Sequence, residues 1–153
     1  MEKKKTNGRR ATREWIIQFL FQLDFNPEPI DIALKDFWEE KDPIEREKTY
    51  AEEIIKGVIQ RKDELDDRLS QYAKRWDSER MVAVDRTVMR VALFEMLYRD
   101  DVPPVVSINE AVHFAKDFSS FQYGRFVNGV LDRIRKELDR PARTTYKPSK
   151  EGQ

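Results

Sequence analysis

Three arginines, Arg9, Arg10 and Arg13, crowd the run-up to an apolar stretch in NGRRATREWIIQFL at 7–20. On a helix turning about 100° per residue they share an arc of about 100°, beside rather than opposite Trp15 and Phe19. The planar guanidinium fork suits phosphate and stacked bases, and each phosphate neutralised releases counterions, giving affinity that falls with salt. Lys3, Lys4 and Lys5 extend this charge as an arm. A second constellation lies in QYGRFVNGVLDRI at 122–134, where Arg125 and Phe126 follow Phe121 and Tyr123. There a cation and several aromatics meet at the expected start of a helix, whose N–H groups and dipole also favour an anion. Single-stranded RNA is held by such pairings of aromatic stacking with arginine. Basic N-termini are nevertheless common, and Phe126 stands four residues before Val130, the spacing of a core position. Neither pattern decides by itself.

Enzymatic chemistry finds no foothold. His113 is the sole histidine and cysteine is absent, so there is no zinc set, no disulfide and no base paired with a nucleophile. No GxxxxGK[ST] or GxGxxG loop occurs to cradle a phosphate. The carboxylate runs WEEKD at 38–42 and ELDD at 64–67 read as solvated helix faces. No catalytic residue, no metal and no cofactor is expected.

The 153 residues are 39% hydrophobic and 38% charged, with a net charge of zero. That zero hides an uneven distribution. Residues 1–13 carry six basic side chains against Glu2, residues 24–67 carry fifteen acids against seven bases, and residues 68–153 carry sixteen bases against twelve acids. Affinity for a polyanion must therefore come from local patches. No apolar run reaches the roughly 20 residues of a membrane span, and the basic start lacks the apolar core of a signal peptide. The expected location is cytoplasmic, with no membrane partner.

Apolar residues recur at spacings of three and four with only five glycines, which predicts an all-α chain. A first helix is expected from about Gly8 to Asp24, ended by Asn26-Pro27 and Pro29. A short helix carries Ile30, Leu34, Phe37 and Trp38. Asp42-Pro43 then predicts the start of one long helix whose apolar face runs from Tyr50 through Leu65 and Leu69 to Trp76. Ser78 can cap the next stretch, which DDVPP at 100–104 ends. SINE at 107–110 predicts a capping box with Ser107 and Glu110. SSFQYG at 119–124 is expected as a loop before a last helix containing Val127, Val130, Leu131 and Ile134. The organisation expected is about seven helices in two small bundle halves sharing a core, 1–76 and 77–140, with a disordered tail at 141–153.

VDRTVMRVALFEML (84–97), DVPPVVSINEAVHFAKDF (101–118) and RFVNGVLDRI (125–134), in this order and with these gaps, resemble the NusB family of bacterial transcription antitermination factors. RRATRE at 9–14 resembles the arginine-rich opening of the same family's first helix. The resemblance is densest over 76–134. It implies binding of single-stranded boxA RNA in ribosomal RNA leader transcripts, together with the ribosomal protein NusE, in an assembly with other Nus factors on RNA polymerase. Arg9, Arg10 and Arg13 match the family's RNA-contacting arginines, Arg125 and Phe126 its second RNA-contacting spot, and Asp85 an acidic position associated with the NusE interface. The competing expectation is an RNA-binding domain related to the N-terminal part of a ribosomal RNA cytosine methyltransferase, which requires a cofactor-binding domain beyond a chain that stops at Gln153.

Overall fold

The computed structural model describes residues 8–74 and 83–138. Among the described residues the chain forms seven α-helices and no strand. They are α1 (Arg9–Phe25), α2 (Ile30–Lys41), α3 (Glu45–Gln60), α4 (Lys62–Ser70), α5 (Ala83–Tyr98), α6 (Pro104–Phe118) and α7 (Phe121–Glu137). Lys3, Lys4, Lys5, Ser78 and the segment 141–153 lie outside the described residues. Two compact units divide between Gln60 and Arg61.

In the first unit α1 packs on α3, burying Ile16, Ile17, Phe19 and Leu20 from one and Tyr50, Ala51, Ile54, Ile55 and Val58 from the other. Phe19 meets Phe37 of α2 edge-on at 5.4 Å, and Trp15 meets Trp38 at 6.2 Å, a geometry that sets the positive ring edge against the negative face. The Trp38 Nε1–H donates to Glu52 Oε2 at 2.8 Å, which lets a polar ring edge be buried. α3 starts at Glu45 rather than at Pro43. Asp42 closes α2 in the left-handed conformation, φ 50°, with its N–H donating to the Trp38 carbonyl, and Pro43 follows as a residue that cannot continue the helix.

The long helix expected from Asp42-Pro43 to Trp76 is interrupted at Arg61. Both pieces keep an apolar face, but Leu65 and Leu69 of α4 serve the second unit, where α4 packs on α5. Arg90 of α5 clamps this contact with a two-pronged pair to Asp66, Nε–Oδ1 2.7 Å and Nη2–Oδ2 3.0 Å. Buried residues surround α5 from Thr87 to Met96, the pattern of a central helix, and α6 packs against both α5 and α7.

The start of α6 lies four residues earlier than the capping box requires. Pro103 takes the cap position and Pro104 the first turn, where the missing N–H costs nothing. Ser107 is instead an interior residue, 1% exposed, and its hydroxyl has no hydrogen-bond partner. Ser107→Ala is therefore expected to leave the melting temperature unchanged or raise it slightly, because no bond is lost. A capping serine would lose about 1 kcal/mol on the same change, so a melting curve separates the two. Likewise 121–124 is helix rather than loop. Ser120 caps α7 by accepting the Tyr123 N–H at 3.2 Å, which places Arg125 and Phe126 in the second turn and not at the helix opening.

Candidate nucleic-acid interface

The first basic patch is built on the opening turns of α1, and a buried carboxylate organises it. Glu47, 4% exposed, stands on α3 three residues before Tyr50 and seven before Ile54, in register with the apolar face. Its Oε1 accepts from Thr12 Oγ1 at 2.6 Å and from Arg9 Nε at 3.0 Å, while Oε2 accepts from Arg9 Nη2 at 3.3 Å. The Arg9 guanidinium also lies over the Tyr50 ring, 3.6 Å from its centroid, a cation–π contact. Burial raises the Glu47 pKa, but the hydrogen bonds from Arg9 and Thr12 and the charges of Arg9 and Arg46 outweigh it, so the carboxyl sits below its usual value.

This architecture makes the expected arginine ridge uneven. Arg9 is half-buried and committed to Glu47, Arg13 is only 4% exposed, and Arg10 is exposed to solvent. Thr12, Glu47 and Tyr50 were missed as parts of the site. Their signal was a lone acid at an apolar helical position opposite an arginine-rich helix.

The second patch lies in the other unit, on the end of α6 and the first two turns of α7. Arg125 is exposed. Phe126 is half-buried, its ring set edge-on to Tyr123 with centroids 6.3 Å apart. Phe121, at the first position of α7, is 64% exposed, and the Lys116 ammonium stands 5.1 Å from its ring centroid. His113, by contrast, pairs with Asp117 at 3.1 Å one turn along α6, an ordinary helix-surface contact. Each unit thus presents an exposed arginine, and the second carries aromatic rings in the same two helical turns.

The sequence profile of the NusB family matches residues 10–136. The chain belongs to the NusB family. It is 38% identical over 136 residues to the transcription antitermination protein NusB of Methylacidiphilum infernorum, spanning 88% of this chain and 95% of that protein. The solved T. maritima NusB superposes with a TM-score of 0.78 at 35% identity, covering 90% of this chain and 94% of the other. A solved structure of the antitermination factors NusB and NusE in complex with double-stranded RNA shares the fold, with a TM-score of 0.75 at 23% identity over 85% of this chain and 97% of that one. Relatives in the NusB family are thus transcription antitermination proteins, not enzymes.

Within this NusB-family fold Asp85 occupies a buried position. It is 0% exposed in the first turn of α5. Ser119, which ends α6, donates its hydroxyl to Asp85 Oδ2 at 3.1 Å, while Oδ1 has no partner. Burial raises the carboxyl pKa, and the Ser119 bond only partly opposes it. The folded state therefore holds a proton more tightly than the unfolded chain, so the carboxyl's contribution to stability is fullest at low pH and falls as pH rises above the ordinary aspartate value. Asp85→Asn, neutral and nearly the same shape, is expected to raise the melting temperature at pH 7.5, with the gain shrinking towards pH 4. Equal melting temperatures at both pH values would show that the charge is satisfied where it stands.

Proposed function

We propose that this chain is a transcription antitermination factor that acts in the cytoplasm by binding boxA RNA of ribosomal RNA leader transcripts together with the ribosomal protein NusE. The observation that carries the reading is the second patch: exposed Arg125 in the same two helical turns as Phe126, Tyr123 and exposed Phe121. A cation and π-surfaces at this spacing suit an unpaired nucleotide, whose phosphate and base are recognised together. The antitermination name carried by its relatives, and the NusB–NusE–RNA assembly that shares its fold, support the same reading.

In the first unit, exposed Arg10 contacts phosphate, Arg9 offers its unburied edge, and Arg13 supports the helix that presents them. Arg125 and Phe126 contact phosphate and base. Asp85 serves the NusE contact indirectly, by holding Ser119 and so the turn that leads into α7. Other Nus factors and RNA polymerase complete the assembly. Among the described residues no helix is long and apolar enough to cross a membrane.

Fluorescence anisotropy with labelled boxA RNA and a scrambled control, with and without NusE, tests this. BoxA is expected to bind in preference to the scrambled strand, and NusE to tighten it. Equal, weak binding to both RNAs with no response to NusE would overturn the reading.

A further inference from the structure

We propose that Phe121, flanked by Lys116 and Arg125, is a stacking platform for a base of single-stranded RNA, adding a nucleotide subsite beside Arg125 and Phe126; this rests on the RNA-binding reading above. Phe121 is the first residue of α7 and keeps 64% of its surface exposed, so it contributes little to the core. Arg125 lies four residues on, one turn along the same side of the helix, and is also exposed.

Lys116 reaches the ring because of Gly124. A Cβ built on Gly124 would lie 2.6 Å from Lys116 Cγ, 3.1 Å from Cε and 3.4 Å from Cδ. The lysine stem therefore lies flat across α7 at the one residue type that leaves room, and its ammonium arrives 5.1 Å from the Phe121 centroid. Glycine inside a helix costs about 1 kcal/mol against alanine, and here it admits the crossing lysine. The product is an exposed ring with a cation at its side and another one turn away.

Every base has a π-face and every nucleotide a phosphate, so that trio matches a single strand without reading its sequence. A protein partner covering Phe121 would have to strip water from two cations at once, which is unfavourable unless it brings acids to meet them. The ligand favoured is RNA.

The test titrates boxA RNA against the full chain and the variants Phe121→Ala, Phe121→Trp and Lys116→Met, at several salt concentrations and with melting temperatures recorded. Phe121→Ala is expected to weaken binding roughly tenfold or more with the salt slope unchanged, since stacking carries no charge. Phe121→Trp is expected to retain affinity. Lys116→Met keeps the stem on Gly124 but is expected to flatten the slope by about 0.7. If the parent binds boxA and Phe121→Ala binds it equally, the platform is overturned while the RNA reading stands. If Phe121→Ala loses NusE binding in the absence of RNA and keeps RNA affinity, the ring is a protein contact and the platform is likewise overturned. A parent that binds no RNA overturns both.

Discussion

Replacing Glu47 with alanine is expected to destabilise the first unit by about 3 kcal/mol, the low end of the range for removing one member of a buried ion pair. The loss is large because one carboxylate accepts from Thr12 and from two nitrogens of Arg9. Without it the Arg9 guanidinium lies against Tyr50 with that counter-charge gone, and the Thr12 hydroxyl, which also donates to the Gly8 carbonyl, loses its charged acceptor. The value sits at the low end because the Arg9 side chain is still 35% exposed and water screens part of the charge. Glu47→Gln, which keeps the shape and one acceptor, is expected to lose less. The pH dependence has a fixed sign. A carboxyl whose pKa is lowered by folding contributes its stability above the unfolded value and loses it as pH falls through the folded one. The gap between parent and Glu47→Ala in urea unfolding should therefore be widest at neutral pH and close in acid. A loss below about 0.5 kcal/mol at neutral pH would place this pair with ordinary surface bridges.

The second large effect is on RNA. Arg10→Ala combined with Arg125→Ala is expected to weaken boxA binding about a hundredfold at low salt, taking each charge-assisted contact at about 1.5 kcal/mol. The same double change is expected to flatten the dependence of log K on log salt by about 1.4, since each phosphate contact on a single strand contributes about 0.7. Both side chains are exposed, so the melting temperature is expected to hold to within the small range of surface substitutions. Arg13 is left out of this pair on purpose. At 4% exposure its truncation would disturb the fold and confuse the two readouts. Titrations at four or more salt concentrations measure the slope, and a parallel line for the variant would show that neither arginine meets a phosphate.

Helices were legible wherever apolar spacing ran unopposed. The faces of α1, α2, α5 and α7 follow from residues such as Ile16 and Leu20, Leu34 and Phe37, or Val127, Val130 and Ile134. Boundaries were harder to read, because local signals compete. SINE has the letters of a capping box, yet Pro103-Pro104 sits just upstream and starts the helix earlier, since fixed backbone geometry at a first turn outranks a side-chain bond. The break at Arg61 carries no glycine or proline. It arises because Leu65 and Leu69 bury in a different unit from Ile54 and Val58, a tertiary demand that spacing along one chain does not record.

The site shows the same division. Residue types in RRATRE and YGRF mark basic and aromatic segments, but which of their side chains are exposed depends on partners far along the chain. Glu47 is 38 residues from Arg9 and turns one of three apparently equivalent arginines inward. Gly124 falls in the SSFQYG stretch expected as a loop, and its use shows only in the helix, where Lys116 lies across it.

The most direct measurement is the backbone amide spectrum of the isotopically labelled chain as boxA RNA is added. The expected result is that the largest shifts fall at 8–13 and at 116–126, with the α2–α3 surface around Lys35 and Lys56 unmoved. Shifts confined to that α2–α3 surface, with both arginine segments silent, would contradict RNA contacts at Arg10 in the first unit and at Arg125 in the second.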